Sequence, residues 1–146
     1  MTDQAEINVE RRVRARPAEV FAYLTDAALW ARWQGVATSI DAVPGGRFEM
    51  RIANGAVAKG RFVEISPPSR IVFTWGWVGS STLPPGSSTV EIDLVPDGEG
   101  TVIRLRHRDL PAEDVPVHEV GWAHYLPRLA AVSEGQDPGA DPGPSP

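Results

Sequence analysis

Hydrophobic and polar residues alternate along most of the chain between residues 36 and 109. In the stretch RIVFTWGW every second position holds a large apolar side chain, and RFEMRI, STVEIDLV and TVIRLRH repeat this period of two. Such alternation is typical of β-strands that bury one face. The turn signals PGG, NG, SPPS and PDGEG separate the stretches. The pattern predicts about six consecutive antiparallel strands with one wet face. The phase is unclear around Gly60, which we interpret as marking a bulge.

The pattern changes on both sides of this region. Residues 6–14 form one more alternating stretch. Two short helices are predicted after it, the first opened by Pro17 and the second capped by the Thr-Asp pair at 25–26. Residues 112–133 follow the helical period of 3.6. The predicted inward face of this last helix holds His118, Trp122, Tyr125, Leu126, Leu129 and Val132, whereas His124 and Pro127 are expected to point outward.

A sheet with one apolar face needs a cover, and the C-terminal helix is the only predicted element large enough. We therefore expect an α+β domain in which a curved antiparallel sheet wraps around a long C-terminal helix, with two short helices after the first strand. The domain is expected to span residues 1–133. Residues 134–146 lack Val, Ile, Leu and aromatic residues, so this segment rich in Pro, Gly and Asp is predicted to be a disordered tail.

Five motifs, taken in order, resemble a known family. They are RPAEVFAYLTDAALWARW, GGRFEM, PPSRIVFTWGW, TVIRLRH and GWAHYLPRLAA. The set is similar to the START-like superfamily, also called SRPBCC, and within it to the branch named for homology to the activator of the heat-shock protein 90 ATPase. The resemblance implies a helix-grip fold with a hydrophobic cavity, in a superfamily of lipid binders, hormone binders and polyketide cyclases. The co-chaperone itself has an additional N-terminal domain, whereas the first strand predicted here begins at residue 6. Chaperone stimulation is therefore not our first expectation.

Composition and charge argue against several classes of function. The formal net charge of −5 disfavours non-specific binding to nucleic acid or to anionic membranes, since both need a positive surface. The chain has no Cys and therefore neither disulfides nor thiolate chemistry. Its N-terminus lacks the features of a signal peptide, and no apolar run approaches the ~20 residues of a membrane span. A cytoplasmic protein is the default expectation.

Large aromatic residues on the inward faces are candidates for the wall of a binding cavity, because rigid rings hold its shape. Taken singly, each of them is better explained as a core residue, but together they exceed what a domain of this size needs to fill its core. His107, His118 and the Tyr125 hydroxyl could meet a polar group of the ligand or act as acid and base, unless backbone or water satisfies them. The predicted ligand-binding residues are Trp30, Trp33, Phe48, Met50, Phe73, Trp75, Leu105, His107, His118, Trp122, Tyr125 and Leu126.

No cofactor or metal is expected. His118 and His124 do not share a helix face, and no carboxylate completes a metal site in the sequence. No G-x-S-x-G nucleophile motif is present. We predict non-enzymatic binding, as a carrier or sensor, of a small apolar or aromatic molecule. Two alternatives stay open, a cavity enzyme of the polyketide cyclase or dehydratase type and a co-chaperone-like interaction module, and a homodimer is a further option.

Overall fold

The computed structural model describes residues 4–144. Strand β1 (Gln4–Val13) is followed by two short helices, α1 (Pro17–Ala22) and α2 (Ala27–Trp30). Six strands come next: β2 (Ala37–Ile40), β3 (Arg47–Arg51), β4 (Val57–Ser66), β5 (Arg70–Trp75), β6 (Ser88–Asp97) and β7 (Gly100–Pro111). A 3-10 turn, Ala112–Asp114, leads into the long helix α3 (Val115–Ser133). Within residues 4–144, no helix is long and apolar enough to cross a membrane.

The strands form one antiparallel sheet in the order β1-β7-β6-β5-β4-β3-β2. Strands β2 to β7 are successive neighbours, and β1 closes the far side by pairing with β7. Helix α3 lies against the apolar face of this sheet, where the Trp122 ring centroid is 5.6 Å from that of Trp75. The predicted α+β architecture, a curved antiparallel sheet around a long C-terminal helix, is confirmed.

Local sequence signals explain how the helices begin. Pro17 stands in the first turn of α1, where its missing N–H leaves no hydrogen bond unmade. The carboxylate of Asp26 caps α2 by accepting a hydrogen bond of 3.0 Å from the Leu29 amide. Helix α3 continues through Pro127 up to Ser133 without a break.

The irregularity expected at Gly60 has a different form. The register between β4 and β5 shifts between Phe62 and Glu64, so the bulge lies beyond the glycine. Gly60 instead permits a close approach of two strands, because a Cβ at this position would lie 1.9 Å from the Thr74 carbonyl oxygen. The alternation of side chains does not reveal this distinction, since both situations favour glycine.

The C-terminal segment, residues 134–144, is packed against the domain rather than being a disordered tail as the sequence predicts. The guanidinium of Arg128 is buried and donates to the Pro138 and Gly139 carbonyls, at 3.2 and 2.7 Å. Asp141 is only 5% exposed, and its carboxylate accepts from the Gly35 amide at 2.7 Å. The segment lacks Val, Ile, Leu and aromatic side chains, and charge-assisted hydrogen bonds hold it instead. Residues 145 and 146 lie outside the described part.

Candidate functional site

One end of the space between sheet and helices is filled by aromatic rings. We call Trp30, Trp33, Phe48, Phe62 and Phe73 the packed cluster. The ring centroids of Phe48 and Phe73 are 4.5 Å apart, and those of Trp30 and Phe48 are 5.3 Å apart. All five side chains are at most 1% exposed, which leaves no space for a ligand among them. Four of the predicted binding residues therefore lie in solid core.

A pocket of about 460 Å³ opens at the other end, between the sheet and the first half of α3. Its volume is within the range of small-molecule sites. Of the predicted binding residues, five line it: Met50, Trp75, His118, Trp122 and Tyr125. Leu105 and Leu126 are buried away from it, as is His107, which contacts the pocket wall from behind. The sequence pattern predicts which side chains point inward, but it does not predict where the packed core ends and the pocket begins.

The ring of His118 is held by three groups. Its Nδ1 lies 2.7 Å from the Asp114 carbonyl oxygen, which can only accept, so Nδ1 carries the proton. Nε2 is then the acceptor, and the indole N–H groups of Trp75 and Trp77 donate to it at 3.2 and 3.0 Å. Burial lowers the pKa of His118, against the opposing effect of the Asp114 carbonyl. The imidazole is therefore neutral, and neither nitrogen is free for proton transfer.

Hydrogen bonds also hold the His107 ring, which has the opposite tautomer to His118. The Trp122 indole donates to Nδ1 at 3.0 Å, so the proton is on Nε2, which lies 2.8 Å from the Ser88 hydroxyl oxygen. That hydroxyl donates in turn to the Trp75 carbonyl at 2.8 Å. Burial, aided by nearby His118, lowers the pKa of His107 to about 3. Both histidines thus act as acceptors that fix the indole rings of the pocket wall.

The hydroxyl of Tyr125 does not reach into the pocket. Its ring lines the pocket, but the oxygen is sealed from solvent and has no hydrogen-bond partner among the described residues. Burial raises the pKa of Tyr125, and the nearby Asp141 carboxylate adds to this effect. The hydroxyl therefore faces the C-terminal segment. Its position does not support the expectation that it contacts a ligand in the pocket.

His124 is not the solvated surface residue that the helical pattern predicts. Its Nε2 lies 2.8 Å from Asp141 Oδ1, and the Asp141 side chain is fully buried. Burial alone raises the pKa of Asp141, but hydrogen bonds from His124 and from the Gly143 and Gly35 amides outweigh it and lower the pKa. The interaction was not predictable, because it depends on a segment that was expected to be disordered.

Gln34 is the pocket residue whose importance the sequence does not suggest. It lies in the segment between α2 and β2, is 1% exposed and lines the pocket together with Ile52, Trp77 and Val120. Its carbonyl oxygen accepts a hydrogen bond of 2.9 Å from the Trp30 indole. The only available signal was a polar residue next to two tryptophans in ALWARWQ, which does not distinguish a buried amide from an exposed one.

A second concave region lies on the opposite, outer face of the sheet. This groove of about 880 Å³ is lined by Arg47, Lys59 and Arg61 among glycine-rich turns. None of the predicted binding residues borders it. No sealed polar atom without a partner belongs to its lining within residues 4–144, so we assign it no ligand. In the same part of the chain, no cluster of three His, Asp or Glu residues could hold a metal ion.

The sheet, the two short helices and the covering C-terminal helix define the class as a helix-grip domain of the START-like superfamily, as the sequence motifs predict. The family model described as "Activator of Hsp90 ATPase homolog 1-like protein" matches residues 14–134. The chain belongs to this family. No curated protein matches the sequence.

Several solved structures share the fold. An AHSA1-like protein of Rhizobium etli, solved by NMR, is 43% identical, with a TM-score of 0.76 over 96% of this chain and 88% of that one. A Chromobacterium violaceum protein is 27% identical, with a TM-score of 0.76 over 88% of this chain and 96% of that one. The Aha1 dimer from Colwellia psychrerythraea is 18% identical, with a TM-score of 0.77 over 89% of this chain and 96% of that one, and it supports the fold alone.

Proposed function

We propose that the protein binds a small apolar or aromatic molecule in the pocket between its sheet and α3, and that it does so without catalysis. The observation that carries this proposal is the pocket of about 460 Å³ with indole rings in its wall. The rings of Trp75, Trp77 and Trp122 are fixed by hydrogen bonds to two neutral histidines. A wall that is rigid before binding loses little conformational entropy when a ligand enters.

The state of the histidines favours binding over acid–base chemistry. A general acid or base must exchange a proton with the substrate and needs a pKa near the working pH. All four ring nitrogens of His107 and His118 already have protein partners. The lowered pKa of each ring keeps it neutral. A cavity enzyme, a co-chaperone-like module and a homodimer stay predictions that no contact in the described residues favours.

The test is an NMR titration with indane, a flat apolar probe. We expect saturable shifts in the indole N–H signals of Trp75, Trp77 and Trp122, with those of Trp30 and Trp33 unmoved, because only the first three adjoin the pocket or its wall. No shift, or equal shifts of all five signals, would overturn the proposal.

Gly121 offers an occluding variant. It lines the pocket from α3, and a Cβ built on it meets no atom within 4 Å. Gly121→Leu should fill the pocket and abolish the indane response without disturbing the helix. Ala123→Leu places the same side chain on an exposed position of α3 outside the pocket and should bind indane normally. If Gly121→Leu and Ala123→Leu bind indane equally well, the probe binds outside this pocket.

A further inference from the structure

The orientation of the Gln34 amide is determined by its neighbour. The indole nitrogen of Trp30 can only donate a hydrogen bond, so the group 2.9 Å away must be the amide oxygen. Both residues are at most 1% exposed, and water cannot replace this contact. The NH₂ group of Gln34 must therefore lie on the side away from Trp30.

That NH₂ group has no hydrogen-bond partner among the residues that the structure describes. Among residues 4–144, Gln34 Nε2 donates no hydrogen bond, and the residue is only 1% exposed in a position that lines the pocket. The nitrogen is not sealed off either, since the sealed atoms without a partner belong to Thr38, Asp114, Tyr125 and Ser133. A buried donor without an acceptor is costly, which is why such groups are rare in folded proteins.

The other polar side chains at the pocket are engaged, sealed or, for Asn54, exposed. His118 has both ring nitrogens engaged, and the Tyr125 hydroxyl is sealed. The Asn54 side-chain oxygen accepts from the Ala56 amide at 2.8 Å, in an exposed turn at the rim. Among the buried side chains described in the lining, Gln34 is thus the one with a free hydrogen-bond donor. Within residues 4–144, no Asp, Glu, Lys or Arg lines the pocket, so a charged ligand would lose its hydration without gaining a charged partner there.

We propose that Gln34 recognises a hydrogen-bond acceptor, such as a carbonyl or ether oxygen, on an uncharged aromatic ligand. This inference rests on the proposed function and narrows its ligand class. The indoles bind the flat apolar part of the ligand, and the Gln34 NH₂ group donates to its single acceptor. Trp30 acts as a positioning residue, because its N–H holds the amide in the donating orientation.

The experiment compares indane with 1-indanone, which has the same bicyclic shape and one added carbonyl. Wild-type protein should bind 1-indanone about two- to tenfold more tightly than indane, the range expected for one neutral hydrogen bond. The side-chain NH₂ signals of Gln34 should move further downfield on adding 1-indanone than on adding indane, because only 1-indanone accepts a hydrogen bond from them. Gln34→Met, which keeps the length of the side chain but has no donor, should bind the two probes equally.

Trp30→Phe tests whether the Trp30 indole N–H orients the Gln34 amide. It leaves Gln34 in place and removes the group that fixes the amide, so the preference for 1-indanone should weaken but not vanish. Binding of both probes with equal affinity by wild-type protein, or an unchanged preference in Gln34→Met, would overturn the inference. Absence of any indole shift with either probe would instead overturn the proposed function. The Gln34 NH₂ signals of the wild-type protein test the inference even if a variant does not fold.

Discussion

The packed cluster and the pocket are built from the same residue types and differ in what faces them. In the packed cluster, rings lie against rings, with Trp30 and Trp33 centroids 5.1 Å apart. At the pocket, Trp75 and Trp122 line open space together with Gly121, a position of α3 that has no side chain. A count of aromatic residues thus does not distinguish core from cavity.

The two regions also differ in how their indole N–H groups are satisfied. In the packed cluster, Trp33 donates to the Tyr23 backbone carbonyl and Trp30 donates to the Gln34 amide. At the pocket, the indoles donate to buried imidazoles. Imidazoles titrate near neutral pH, whereas backbone carbonyls do not. The pocket end should therefore be the part of the domain that acid destabilises first.

The largest effect is expected in the packed cluster. Phe73→Ala removes a fully buried ring that contacts Trp30, Phe48 and Trp75. It should lower the free energy of unfolding by about 3–5 kcal/mol, measured by urea denaturation. Val117→Ala, at a 64% exposed position on the rim of the pocket, should change it by less than about 0.5 kcal/mol. Equal costs at the two positions would contradict the distinction between packed cluster and pocket.

The next effect is a pH dependence carried by His107. In the unfolded chain its pKa is near 6.5, and burial lowers the pKa to about 3 in the folded protein. Between these values the unfolded state binds a proton that the folded state does not, so stability is lost as the pH falls below 6.5. At pH 5 the loss amounts to about 2 kcal/mol. Urea denaturation at pH 7 and pH 5 measures it.

His107→Gln is the control for this dependence. Its amide can still accept from Trp122 and donate to Ser88, but it does not titrate. The stability of this variant should fall about 2 kcal/mol less than that of wild type between pH 7 and pH 5. If His107→Gln and wild type lose equal stability between pH 7 and pH 5, the acid sensitivity comes from other groups.

A smaller effect is expected where the C-terminal segment borders the pocket, which Pro144 helps to line. Asp141→Asn replaces the carboxylate that accepts from His124 and from the Gly35 and Gly143 amides. It should cost about 1–2 kcal/mol at pH 7, since hydrogen bonds to a charged group are weakened.

Because the pKa of Asp141 is lowered in the folded protein, the difference between wild type and Asp141→Asn should disappear in acid. Stabilisation by the carboxylate is fully present above its ordinary pKa of 3.8 and is lost as the pH falls through the folded value. Hydrogen exchange of residues 138–144 reports the release of the segment directly. Unchanged protection in Asp141→Asn at pH 7 would mean that Arg128 alone holds it.

The sequence was sufficient for the fold because the sheet and α3 follow simple periods. Alternation in RIVFTWGW and helical spacing from Val115 to Ser133 both reflect burial on one face, which is a local property of the chain. The pocket depends on non-local pairings, such as those of His118 on α3 with the Trp75 and Trp77 indoles, which are 43 and 41 residues away in the chain. The C-terminal segment depends on Arg128 and Asp141, whose partners are mostly backbone groups that leave no trace in a hydrophobic pattern.

The smallest predicted effect is a gain in stability, whereas the Phe73→Ala change in the packed cluster causes a loss. Gly121 lies inside α3 with a negative φ, and an added Cβ would meet nothing within 4 Å. Gly121→Ala should therefore stabilise the protein by about 0.8 kcal/mol, the difference in helix propensity between the two residues. Urea denaturation measures it against Ala123→Gly, which should cost a similar amount at an exposed position of the same helix. A loss of stability in Gly121→Ala would mean that the space beside Trp122 is already filled in solution, and the distinction between an open pocket and a packed cluster would fail.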